Sequence, residues 1–182
     1  YQRGDYLHAR ETFQAALAMA PDDPTLQFNL AQCYERLGQA DRAEDIYRRC
    51  LQQHPENADC RHALAVLLVR SRRRDEAVEM TQEWLRQSPR SADAYALDGW
   101  LWHDLGDLPR AQGRLQQALA LDPRNRRALN ELALVYEALN RPDRALVLYE
   151  RSLAVDAHQP EVARKIQQLR DSGVKYPAPD WQ

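Results

Sequence analysis

No apolar run in this chain approaches the roughly 20 residues that a bilayer-spanning helix needs, so no direct membrane insertion is expected in this segment. Its 6 glycines and 10 prolines are too few for a low-complexity or collagen-like chain. The net charge of −2 provides no global field toward nucleic acid or an anionic membrane surface. Lysine is nearly missing: only Lys165 and Lys175 occur, and the other basic residues are arginine. The 3 cysteines, Cys33, Cys50 and Cys60, form no CxxC pair and cannot all be bridged to one another. Read as free thiols, they lean toward a reducing, cytoplasmic compartment. The chain opens at Tyr1, not Met, as expected where an upstream segment has been removed, which leaves a periplasmic or membrane-attached parent open.

Catalytic signatures are missing too. The sequence holds no nucleophile elbow, phosphate loop or paired-carboxylate motif, and His8, His54, His62, His103 and His158 are scattered. No enzymatic activity, cofactor or catalytic residue is expected. A zinc reading of Cys50, His54, Cys60 and His62 fails on geometry, because Cys60 and His62 are two apart on one helix and diverge by about 200°. Cys50 is read as core packing, and no metal is expected.

What is present is a repeat. Pro21, Pro55, Pro89 and Pro123 stand 34 residues apart, with Ala157 on the fifth slot. Two residues after each come Asp23, Asn57, Ser91, Asn125 and Gln159. The first four are strong N-caps, whose side chains accept from unpaired N–H groups of the first helical turn. Pro24 and Pro160 suit the first helical position. A second column, Gly4, Gly38, Arg72, Gly106 and Asn140, marks the turn between two helices. Arg72 is its odd member, and a distorted turn is expected at Ser71–Arg74. Small residues recur at Ala9, Ala43, Ala77, Ala111 and Ala145, and at Ala31, Ala65, Gly99 and Ala133, where paired helices can approach closely.

These columns resemble the tetratricopeptide-repeat (TPR) family over roughly residues 4–157. The resemblance implies an all-α fold, a right-handed α-solenoid of antiparallel helix pairs, with about four complete repeats. The expected architecture is a solenoid over 1–171: a half repeat at 1–23, repeats at 24–57, 58–91, 92–125 and 126–159, and a capping helix at 160–171. The tail at 172–182 should be extended. Helices are predicted at 4–20, 24–37, 40–53, 58–70, 74–87, 92–105, 108–121, 126–139, 142–155 and 160–171.

The resemblance further implies a non-enzymatic scaffold whose first helices line a concave, partner-binding groove. The first complete repeat would contribute Phe28, Asn29, Gln32 and Arg36, and the next His62, Val66, Val69 and Arg70. Trp100 and His103, with Ala96 and Leu97 beside them, would come from the third, and Asn130 and Leu134 from the fourth. Phe28, Val66, Val69, Trp100 and Leu134 form an apolar stripe, so the expected partner is another protein, held as an apolar or amphipathic peptide or short helix. The clamp that grips chaperone-tail carboxylates is not made by the corresponding Phe28, Gln32, Ala63, Asp93 and Leu97.

Some residues break the pattern. Asp98 stands where the other complete repeats carry Leu30, Leu64 and Leu132; a buried acid needs a partner, with His62 or a neighbouring arginine as candidates. The basic turns Arg72–Arg74 and Arg124–Arg127 read as solvated, and no aromatic interleaving points to nucleic acid. The competing expectations are self-assembly into a homo-oligomer through the open first helix or the tail around Trp181, and a regulatory segment of a larger protein.

Overall fold

A computed structural model of the chain describes residues 3–176. It forms two compact units, Tyr1–Ala77 and Val78–Gln182. The first unit holds α1 (Arg3–Met19), α2 (Pro24–Arg36), α3 (Ala40–Gln53), α4 (Ala58–Arg70) and the start of α5 (Arg74–Gln87). The second holds the rest of α5, then α6 (Ala92–Asp104), α7 (Leu108–Leu121), α8 (Arg126–Ala138), α9 (Pro142–Val155) and α10 (Pro160–Asp171). No strand occurs among the described residues. The predicted bounds agree with these helices to within one residue throughout. The tail around Trp181 lies outside the described residues.

Local chemistry explains the agreement. Asp23 accepts from the N–H groups of Thr25 and Leu26, Asn57 from Cys60, Ser91 from Ala94 and Asn125 from Ala128. Gln159, the weak member of that column, makes no such cap. Within each pair the turn passes through a left-handed residue: Gly38 at φ 75°, Gly106 at 81° and Asn140 at 56°. Arg72 adopts φ 62°, and the expected distortion does not occur. The N–H of Arg73 reaches the Leu68 carbonyl at 2.8 Å, matching Gln39 to Tyr34 at 2.9 Å and Asp107 to Trp102 at 2.9 Å. The turn's hydrogen bonds offset the conformational cost of a side chain there.

In the first unit, Leu30, Ala31 and Tyr34 of α2 bury against Ala43 and Tyr47 of α3, with Leu64, Ala65 and Leu68 of α4 also inside. In the second unit one cluster runs through Leu115, Leu129, Leu132, Leu146 and Tyr149 to Val162 and Ile166 of α10. Each fully buried Leu contributes about 1.5–3 kcal/mol. The small columns set how closely the pairs approach. A Cβ on Gly99 would stand 2.5 Å from Cγ of Leu115, so α6 and α7 meet through that glycine.

Two of the three cysteines are paired. Cys50 of α3 and Cys60 of α4 form a disulfide with Cα atoms 6.6 Å apart, and Cys33 is buried and free. This corrects the reading of three free thiols and removes the basis for a cytoplasmic lean. It also takes both sulfurs out of any metal-ligand set.

Candidate functional site: a protein-binding face

In the second unit the first helices α6 and α8 are direct neighbours, and the side chains facing away from the core form a half-buried surface. Trp100 and Leu134 hold the same place in their repeats, 34 residues apart, and both are half-buried. His103 and Asn130 are half-buried beside them. His103 Nδ1 lies 3.5 Å from Glu131 Oε2, tying α6 to α8, and this hydrogen bond raises the imidazole pKa against the opposing effect of burial. Asn130 donates to Gln159 at 2.9 Å. Lys165 of α10 pairs with Glu137 of α8 at 2.8 Å, and Glu137 also accepts from Tyr149. The second unit therefore presents two large apolar groups inside a frame of paired polar groups.

Two expected groove residues are absent from this face. Ala96 and Leu97 are 1% and 2% exposed; Ala96 sits in the core cluster with α8 residues, because the neighbouring first helix covers that side of α6. Asp93 is engaged at the repeat junction, where Asn125 donates to it at 2.8 Å.

In the first unit, Phe28 and Asn29 are half-buried and Gln32 and Arg36 exposed on α2, while on α4 His62, Val66 and Val69 are half-buried and Arg70 exposed. Phe28 packs against Tyr47 with ring centroids 6.1 Å apart, and the Tyr47 hydroxyl donates to Glu35 at 2.7 Å. Arg70 lies 3.8 Å from Glu35. Asn29, Gln32 and Arg36 also join Tyr6, Ala9 and Phe13 of α1 in a hollow of about 380 Å³.

The remaining exceptions resolve as pairs. Asp98, 4% exposed, meets Arg114 of α7 with Nε 2.8 Å from its Oδ2, so the arginine alternative holds. Burial pushes its carboxyl pKa up, while Arg114 and the Trp102 indole oppose that shift. Arg73 in the basic turn is matched by Glu44 at 2.6 Å and Glu76 at 2.7 Å, with Arg48 completing the network. Arg126 pairs with Asp156 at 2.6 Å. Sequence reasoning missed a recurrent arginine stack over the aromatic eight residues earlier: Arg42 on Tyr34 at 5.6 Å, Arg110 on Trp102 at 4.6 Å and Arg144 on Tyr136 at 5.6 Å. The constant spacing was the available signal.

Capped helix pairs repeating every 34 residues, with half-buried apolar groups on their first helices, define a helical-repeat scaffold. Models of the family described as tetratricopeptide repeat match residues 1–58, 36–101 and 103–169, and the chain belongs to that family. Its members are generally non-enzymatic scaffolds for protein–protein interaction. Among solved structures, a thermophilic TPR protein of Thermus thermophilus is 24% identical with a TM-score of 0.71, over 92% of this chain and 91% of that one. YrrB, described as a TPR protein with an unusual peptide-binding site, is 16% identical with a TM-score of 0.53, over 90% and 84% of the two chains. Outer dynein arm-docking complex subunit 4 of Danio rerio is 42% identical over 43 residues, which are 24% of this chain and 9% of that protein.

Proposed function

We propose that this chain captures a segment of another protein, an extended peptide or short helix, through apolar anchors on the first-helix face of its repeats. Trp100 and Leu134 are the central anchors, with His103 and Asn130 as polar neighbours. Phe28, Asn29, Gln32, Arg36, His62, Val66, Val69 and Arg70 form the corresponding face of the first unit. The carrying observation is that Trp100 and Leu134 are half-buried at equivalent places on adjacent helices. Aromatic anchors dominate interface energies, and truncating one typically costs about 2 kcal/mol or more. YrrB, described as having an unusual peptide-binding site, is a precedent for peptide binding on this fold.

Peptide display against the purified chain, in parallel with Trp100→Ala and Leu134→Ala, tests the reading. Peptides enriched on the native protein and lost on both variants are expected. Peptides that survive both substitutions, or no enrichment, would overturn it.

A second reading has its own observation. Phe13 of α1 is half-buried, while Tyr47 and Tyr149 in the same column are buried, and Leu7 and Met19 are exposed. Self-association through α1 would cover them. Light scattering decides: a monomer at high concentration excludes it, and a dimer broken by Leu7→Glu establishes it.

A further inference from the structure

Trp102 lies two residues from Trp100, so the two indoles diverge by about 200° around α6. On the Trp102 side, Trp102 with Arg110, Gly113, Arg114 and Gln117 of α7 lines a depression of about 340 Å³. The Arg110 guanidinium stacks on the Trp102 ring at 4.6 Å. Arg114 lies over Tyr95 at 5.8 Å, pairs through Nε with Asp98 at 2.8 Å and donates to Gln117 at 3.1 Å. Two guanidiniums are thus positioned at one dish by aromatic rings and a buried acid.

Gly113 is unexplained by the fold. It sits exposed in mid-helix without a positive φ, and a Cβ added there would meet nothing within 4 Å. Glycine in a helix interior costs about 1 kcal/mol relative to alanine. The same column carries Glu11, Asp45, Glu79 and Val147 in the other second helices. An acid at 113 would lie three residues from Arg110, within ion-pair reach. The dish therefore lacks the acid that three of four sister positions supply. Arg110 makes one ion pair among the described residues, with Asp107, where Nε lies 3.2 Å from Oδ2.

We propose that this depression is a second binding site, which takes the carboxylate of a glutamate or aspartate side chain from an acidic partner segment. The carboxylate sits beside Gly113 between Arg110 and Arg114, where the Arg110 guanidinium can hold it through paired N–H donors and Arg114, already engaged by Asp98 and Gln117, adds positive charge, and the adjoining aliphatic carbons lie on Trp102. The site faces away from the Trp100 side of α6 and is independent of the groove reading.

The test is an NMR titration of the full chain with acetyl-hexaglutamate amide at low salt, with the neutral hexaglutamine peptide as reference. Shifts of the Trp102 indole and the Arg110 and Arg114 Nε–H signals are expected with hexaglutamate alone. Gly113→Glu, which returns an acid to the column, should weaken binding at least tenfold while leaving the thermal midpoint unchanged or higher. Trp100→Ala, on the opposite side of α6, should keep affinity within about twofold, and Arg110→Gln should lower it severalfold. Absence of those shifts, equal binding by Gly113→Glu, or a response of the same residues to a single-stranded oligonucleotide but not to hexaglutamate would each overturn the proposal.

Discussion

Arg114 of α7 places Nε 2.8 Å from Oδ2 of Asp98 on α6, an acid in a slot that leucine fills in the other three complete repeats. Removing an acid from water is costly, and a partner 41% exposed at its side chain returns only part of that cost. Asp98→Leu should therefore stabilise the protein by about 1–2 kcal/mol at neutral pH. Because the folded-state pKa of Asp98 is raised, its protonated form is the one the fold favours. Stability from that form is complete below the unfolded value and is lost as pH rises through the folded one. The advantage of Asp98→Leu should accordingly shrink as pH falls through the raised folded value and be smallest below the unfolded carboxyl pKa of about 3.9. Denaturant melts of both proteins at two pH values measure this.

Gly99 and Gly113 make a controlled pair. At Gly99 a Cβ would lie 2.5 Å from Cγ and 2.8 Å from Cδ2 of the fully buried Leu115, and Gly99→Ala should cost about 1–2 kcal/mol net despite the better helix former. Gly113→Ala meets open space and should add about 1 kcal/mol. Chemical denaturation of both variants would show opposite signs.

Arg72 holds φ 62°, a conformation that disfavours any residue with a Cβ, and its side chain makes no hydrogen bond or ion pair among the described residues. Arg72→Gly should raise stability by about 0.5–1 kcal/mol, the relief of strain being partly offset by the freer unfolded chain. A shift of the urea midpoint at constant slope is the readout.

The disulfide fixes a thiol count. Under denaturing, non-reducing conditions one thiol, Cys33, should react, and all three after reduction. Bridging cysteines ten residues apart should be worth about 2–3 kcal/mol. The melt of Cys50→Ser/Cys60→Ser against the oxidised protein gives that figure.

His103 should titrate above the usual imidazole range, because Glu131 favours its charged form. The stability this pair adds is complete below the unfolded imidazole pKa of about 6.5 and is lost as pH rises through the folded value. Glu131→Gln should bring the pKa back toward the ordinary value in an NMR titration. An unchanged pKa would mean that the contact between α6 and α8 does not bias the proton.

The fold was readable because its punctuation is local. Asp23, Asn57, Ser91 and Asn125 set helix starts by bonds to residues two or three positions on, and the turn column sets the ends. Facing was harder to read. Ala96 and Leu97 hold groove slots by count, yet both are buried, Ala96 in the core cluster with α8 residues. The Cys50–Cys60 bond was equally hidden, since residues ten apart on different helices announce nothing by spacing. The sister pairs of that junction, Trp84 with Ala94 and Ala118 with Ala128, are also buried, and a column comparison could have placed the two sulfurs together. Asp98 was flagged by breaking a leucine column, whereas its partner needed the packing of α7.

Asn125 closes two contacts at once: its amide oxygen accepts from the Ala128 N–H at 2.9 Å and its amide nitrogen donates to Asp93 at 2.8 Å. One side chain thereby starts a helix and fastens it to the repeat before. Local fraying of α8 would also loosen the joint to α6, so in the second unit the melting of one repeat propagates to its neighbour. Part of the cooperativity between repeats is in this way carried by a single amide, and exchanging it for serine would keep the helix start while loosening that linkage.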